Sequence, residues 1–237
     1  MKKITLDKPI KMIATVGVVG GFLSATGVAN AQGFQLVETT IEDMHVALMS
    51  GEVTCRGLVE SYLERIEAFD QQGPELNSVQ HINSQALQEA EALDAAQEGS
   101  GLVGPLHCVP VLLKDQVETS DMPTTYGSAI FADFYSGRDA TIVLRMKEAG
   151  AIILAKTNMG EFANGYLGSA FGMVRNAYEP ARIPSGSSAG TGAGAAAGAG
   201  AAAGSGEMSQ AEGAARRRAH NALLAEFEVF EEAFKYR

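Results

Sequence analysis

The chain has 237 residues, 46% of them hydrophobic and 19% charged, with 18 Lys and Arg against 28 Asp and Glu for a formal charge of −10. That length suits one sizeable domain with a small appendage, and so acidic a chain is a poor partner for nucleic acid, which needs clustered Lys and Arg. Two cysteines and four scattered histidines without an HExxH-type pair exclude a disulfide scaffold and a Cys- or His-rich metal centre.

The first 31 residues read as a signal peptide. Lys2, Lys3, Lys8 and Lys11 precede an apolar stretch at 12–23, and Ala29 and Ala31 satisfy the A-x-A rule for cleavage after Ala31. The stretch is about half the length of a spanning helix. The expectation is therefore export to the periplasm or the medium, with no stable membrane association after cleavage. No Cys follows the stretch and no Arg pair precedes it, which argues against a lipoprotein and a twin-arginine route. Cleavage moves the formal charge from −10 to −13 over the remaining 206 residues. For Cys55 and Cys108 the plainer expectation is two buried thiols, although export permits a disulfide.

Along the mature chain, Thr39 and Thr40 with Glu42 and Asp43 form overlapping capping boxes, predicting a helix through Leu48 that Gly51 closes. Thr54 caps a second helix, in which Leu58, Tyr62, Leu63, Ile66 and Phe69 make a buried stripe. A turn at 71–74 follows, then a surface helix at 84–97 rich in Ala, Gln and Glu. Val109 to Leu113 is a short apolar run bounded by Gly104-Pro105 and Lys114-Asp115, which suits a strand buried on both faces. Asp139 or Thr141 opens another helix with Ile142, Val143, Met146 and Ala149 inward and Gly150 as its stop, and Ala151 to Ala155 is a second buried strand. Helix followed by apolar strand predicts a layered α/β fold. From Ala189 to Gly206 the chain is low in complexity, with 16 of 18 residues Ala or Gly. Arg216-Arg217-Arg218 then leads to an amphipathic helix, Ala222 to Tyr236, carrying Leu223, Phe227, Phe230 and Phe234.

Three chemistries compete for the central residues. Gly186-Ser187-Ser188-Ala189-Gly190 matches the G-x-S-x-G elbow, but prolines at 180 and 184 stand where a strand should lead in, and the only downstream histidine is His220. The run Gly192-Ala193-Gly194 suggests a dinucleotide loop, again without its strand. A Ser–Lys mechanism needs a lysine that is neutral at working pH, and burial at the tip of an apolar strand lowers a lysine toward that state. Lys114 and Lys156 both occupy such a tip, and pattern alone does not choose between them.

Several blocks together resemble the amidase signature family. They are Gly104-Pro105-Leu106-His107-Cys108-Val109-Pro110-Val111-Leu112-Leu113-Lys114-Asp115, Asp121-Met122-Pro123-Thr124-Thr125-Tyr126-Gly127-Ser128, Asp139-Ala140-Thr141, Glu148-Ala149-Gly150-Ala151-Ile152-Ile153-Leu154-Ala155-Lys156-Thr157-Asn158-Met159, Glu161-Phe162-Ala163, and Pro184-Ser185-Gly186-Ser187-Ser188-Ala189-Gly190. The resemblance runs over residues 34–198. It implies an incomplete α/β fold with a mixed central sheet flanked by helices, and divides the chain into a signal peptide (1–31), the N-terminal part of an amidase signature domain (32–198) and an atypical tail (199–237).

It also implies hydrolysis of carboxylic amide C–N bonds in a small-molecule substrate, through a serine acyl-enzyme with no metal and no cofactor. By motif, Lys114 matches the general base and Ser187 the bridging serine, whose peptide bond with Gly186 is expected to be cis. Gly186, Ser188 and Gly190 match supporting positions, Ser188 by hydrogen bonding, and Lys156 falls to a structural role. The family's Asp-x-Gly-Gly-Ser nucleophile loop is absent. Ser205 and Ser209 stand near its place without the motif. Ser185, Ala189 and Cys108 replace usual glycines. The expectation is an exported amidase ended by truncation or frameshift before its nucleophile; the second reading is a non-catalytic exported remnant or pseudoenzyme that acts by protein binding through its terminal helix.

Overall fold

The computed structural model describes residues 34–200. The expected signal segment, Ser205, Ser209 and the helix at 222–236 lie outside the described residues.

Cap chemistry sets the first two helices where the sequence places them. Helix α1 spans Ile41–Ser50; Thr40 accepts a hydrogen bond from Asp43 N through its side chain, and Gly51 closes the helix in the left-handed region at φ +73°. Helix α2 spans Cys55–Ile66, with the Thr54 side chain accepting from Gly57 N. Asp94 adds a second cap, accepting from Cys55 N at 2.6 Å and Arg56 N at 3.0 Å, so a carboxylate satisfies donors that the helix itself cannot. Leu58, Tyr62 and Ile66 are buried as the stripe requires, but Phe69 is 40% exposed. The reason is a π-helical turn at Glu67–Gln71, which breaks the 3.6-residue period and turns Asp70 inward instead. The Asp70 carboxylate accepts from Ser78 N at 2.6 Å, Val79 N at 3.1 Å and the Ser78 hydroxyl. Phe69 lies under the Arg65 guanidinium, 4.9 Å from the ring centre.

The central sheet is mixed and has the order β1–β3–β2. Strand β2 (Pro110–Lys114) runs parallel to β3 (Ile152–Thr157), and β1 (Val79–Ile82) runs antiparallel on the other side of β3. All six residues of β3 are buried, as an internal strand covered on both faces should be. Helices α3 (Ala86–Ser100) and α4 (Thr141–Glu148) pack against β3. In α4, Val143 and Met146 face inward, whereas Ile142 is 47% exposed and Ala149 is half-buried. The helix starts at Thr141, so an inward stripe through Val143 and Met146 turns Ile142 out. A hairpin of two-residue strands, β4 (Leu167–Gly168) with β5 (Gly172–Met173), completes the strands among the described residues.

The low-complexity run from Ala189 begins as a helix, α5 (Ala189–Ala196), which packs on the sheet. Its small residues allow that approach: a Cβ on Gly194 would stand 2.8 Å from Leu112 Cδ1. Cys55 and Cys108 are not thiols but a disulfide, with Cα atoms 5.4 Å apart. Cys55 opens α2 and Cys108 sits just before β2, so tertiary packing unites residues that are 53 positions apart in sequence.

Candidate active site

Strand β2 delivers Lys114 to its C-terminal tip. Residues two apart on a strand share a face, so Lys114 points the same way as Leu112, toward α5. There the Lys114 ammonium donates to Ser187 Oγ at 2.7 Å. Burial alone holds this amine below the ordinary lysine value, with no carboxylate acting to raise it.

Ser187 is fixed by its backbone. The Gly186–Ser187 peptide bond is cis. Ser187 O accepts from Gly160 N at 3.2 Å, Gly190 N donates to Asn158 O at 2.9 Å, and Asn158 N donates to Ser78 O at 2.8 Å. Thr157 and Thr191 join hydroxyls at 2.7 Å. The segment leading into α5 is thus stitched to the end of β3. Glycine is required at two points. A Cβ on Gly186 would run into Gly165 O, and one on Gly190 into Asn158 O and Ser78 O. Ser185 takes φ +66°, a conformation that favours glycine.

Ser188 departs from expectation. Its hydroxyl has no hydrogen-bond partner among the described residues; only its carbonyl is engaged, by Gly192 N at 3.1 Å. The residue stands at the N-cap of α5 without using its side chain as a cap. No strand leads into the Gly186–Gly190 run, and Gly192 to Gly194 lie inside α5 rather than at a strand–helix turn, so neither the elbow nor the dinucleotide loop is formed. Among the described residues no second serine hydroxyl reaches Ser187, and no group of three His, Cys, Asp or Glu side chains is arranged to hold a metal ion.

Lys156 takes the opposite face of the sheet. Its strand neighbour is Leu113, whereas Lys114 is paired with Thr157. It is fully buried, donating to Pro123 O at 3.0 Å and Thr124 Oγ1 at 3.2 Å, with Asp115 Oδ1 at 4.0 Å. Burial pulls it down to about 8, against the opposing pull of Asp115, Asp121 and Glu118. Asp115, equally buried, accepts from Thr125 N at 3.0 Å, Thr125 Oγ1 at 2.9 Å and Gly127 N at 3.2 Å. Motif reading assigned no role to Asp115, Gly160 or Thr191. Asp115 carried a signal, a carboxylate next to the candidate base; backbone ties such as Gly160 N to Ser187 O leave none.

The profile of the family described as Amidase matches residues 57–207. A glutamyl-tRNA(Gln) amidotransferase subunit from Maridesulfovibrio salexigens is 43% identical over 159 residues, covering 66% of this chain and 32% of that protein. Among solved structures, a peptide amidase in complex with the competitive inhibitor chymostatin superposes with a TM-score of 0.68 at 37% identity, over 70% of this chain and 36% of its own. Native peptide amidase from Stenotrophomonas maltophilia gives 0.67 at 36% identity, over 69% and 35%. The chain spans about a third of the length of the relatives it matches.

Proposed function

The chain belongs to the amidase family, and from that premise we propose that it is built to open carboxylic amide C–N bonds through a serine acyl-enzyme, with Lys114 as general base and Ser187 as the serine that relays the proton. The observation that carries this reading is the 2.7 Å contact between Lys114 Nζ and Ser187 Oγ at the tip of a buried strand. A neutral Lys114 accepts the Ser187 proton while Ser187 accepts one from the attacking serine. The attacking oxygen bonds to the amide carbon, the C–N bond breaks, and the amine leaves with the relayed proton. Water then hydrolyses the ester.

Export to the periplasm or the medium belongs to the same proposal. The A-x-A segment motivates it, and the Cys55–Cys108 disulfide supports it, because such bonds persist in oxidising compartments. One observation favours a second reading, a non-catalytic protein that works by binding a partner: among the described residues no second hydroxyl is hydrogen-bonded to Ser187. The amidotransferase relatives are named as one subunit of a larger enzyme, which supports a partner under either reading.

Ammonia release from a simple amide such as benzamide, together with labelling by a fluorophosphonate, separates the two. The catalytic reading expects turnover, loss of it in Lys114→Ala, and a labelled serine whose identity names the nucleophile. Turnover that survives Lys114→Ala removes Lys114 from the chemistry, and neither turnover nor label leaves the binding reading.

A further inference from the structure

The buried pair on the reverse face of the sheet is not used by the proposed chemistry, yet its contacts lead to both halves of the Lys114–Ser187 pair. Lys156 donates to Pro123 O and Thr124 Oγ1, at the start of a turn. The next residues of that turn, Thr125 and Gly127, donate to the Asp115 carboxylate, and Asp115 directly follows Lys114. Asp115 N also donates to Thr157 O at 3.1 Å, which ties the strand tip to β3. From the far side of the turn, Tyr126 O accepts from Phe162 N at 2.9 Å. Phe162 lies two residues past Gly160, whose N–H holds the Ser187 carbonyl. The turn fits tightly here, because a Cβ on Gly127 would stand 2.7 Å from Met159 O.

We infer that Lys156 is a positioning residue for the Lys114–Ser187 pair: its ammonium clamps the turn at 123–127, and that turn braces Lys114 through Asp115 and Ser187 through the 160–162 segment. The inference rests on the reading of Lys114 as the base. The charged and titratable groups around Lys156 are Asp115, Asp121 and Glu118 from the connection after β2, and His81 from β1, which is its partner in the sheet. Removing the ammonium leaves the Asp115 carboxylate buried without its counter-charge. The turn then loosens, and Lys114 exchanges its contact with Ser187 for water.

The test reads the titration of Lys114 directly and does not need turnover. The full chain is trace-labelled with acetic anhydride from pH 6 to 10, and acylation of the Lys114 peptide is normalised to its own plateau at high pH and compared with a free lysine standard. In the parent, Lys114 titrates below the standard. In Lys156→Met its curve moves up toward the standard, lowering normalised labelling at pH 8 roughly threefold or more, since one pH unit is tenfold in neutral amine. The isosteric change Thr124→Val removes one acceptor of the ammonium and moves the curve the same way by less. It decides the matter alone if Lys156→Met does not melt cooperatively. Variants that melt lower but leave the Lys114 curve in place show a merely structural lysine and overturn the inference. A parent Lys114 that titrates with the standard overturns the reading of Lys114 as base instead.

Discussion

Opening the Cys55–Cys108 bond tests how the front helices are held to the sheet. The bond closes a loop between residues 53 positions apart. Loop-closure entropy for that length gives about 4 kcal/mol at 25 °C. A second effect has the opposite sign. Cys108 sits at φ +61°, where a side chain costs about 1 kcal/mol that glycine avoids. The double variant Cys55→Ala, Cys108→Ala is thus expected about 4 kcal/mol below the oxidised parent, and Cys55→Ala, Cys108→Gly about 3 kcal/mol below it. Urea unfolding followed by circular dichroism resolves the two, because a slope of about 2 kcal/mol/M turns those gaps into midpoint drops of about 2 M and 1.5 M. Parent reduced by dithiothreitol should unfold with the double alanine variant. Coincident midpoints for the oxidised parent and the double alanine variant would refute the loop-closure argument. A glycine variant less stable than the alanine variant would refute the backbone argument.

Two further outcomes follow from the same structure. Gly190→Ala drives a Cβ into two backbone oxygens, Asn158 O and Ser78 O, which have no flexible end to yield; we expect a loss of about 3 kcal/mol or more, read as a drop in melting temperature, with a melt unchanged within error counting against the packing described. His107, fully buried, accepts from Val103 N at 3.2 Å through Nδ1 and reaches Gln97 Oε1 at 3.2 Å through Nε2, so it is held neutral and burial lowers its proton affinity. The unfolded chain therefore binds this proton first as pH falls, and stability that is complete above about pH 6.5 declines from there through the lower folded value. His81, also lowered by burial, adds to the same limb, whereas Asp139, lowered from 3.8, acts only in the more acidic range. A urea midpoint flat from pH 8 to pH 5 would contradict this assignment.

How much of the molecule could be read from its sequence depended on how local the cause was. Thr40, Gly51 and Thr54 fix helix ends through neighbours within three or four residues, so the starts of α1 and α2 and the glycine stop of α1 were legible. Strands β2 and β3 announce themselves as apolar runs because they are buried on both faces. Strand β1 does not, since Val-Gln-His-Ile has no buried position after its first residue. Phe69 was misread because a π turn changes the helical period, and that change is stabilised from outside by the donors that fix Asp70. Helix α5 was hidden by Ala and Gly, which have no apolar period, and it exists because the sheet accepts a helix that close. The disulfide joins two ends that only tertiary packing unites. At the site, the Lys114–Ser187 pairing came from motif resemblance rather than from pattern, which offered two equivalent lysines.

Partners, rather than burial, distinguish those two lysines. Both sit at the tips of adjacent strands, and both are lowered by desolvation. Lys114 faces a hydroxyl, so giving up its proton leaves Ser187 able to donate in return and creates no uncompensated charge. Lys156 faces a carboxylate that is itself fully buried, so its deprotonation would strand the Asp115 charge in the interior, the costly outcome for any buried pair. Asp115 thus opposes the loss of the Lys156 proton, against the burial that draws this lysine down to about 8. The alternation of side chains along β2 and β3 puts Lys114, and not Lys156, on the face that carries Ser187.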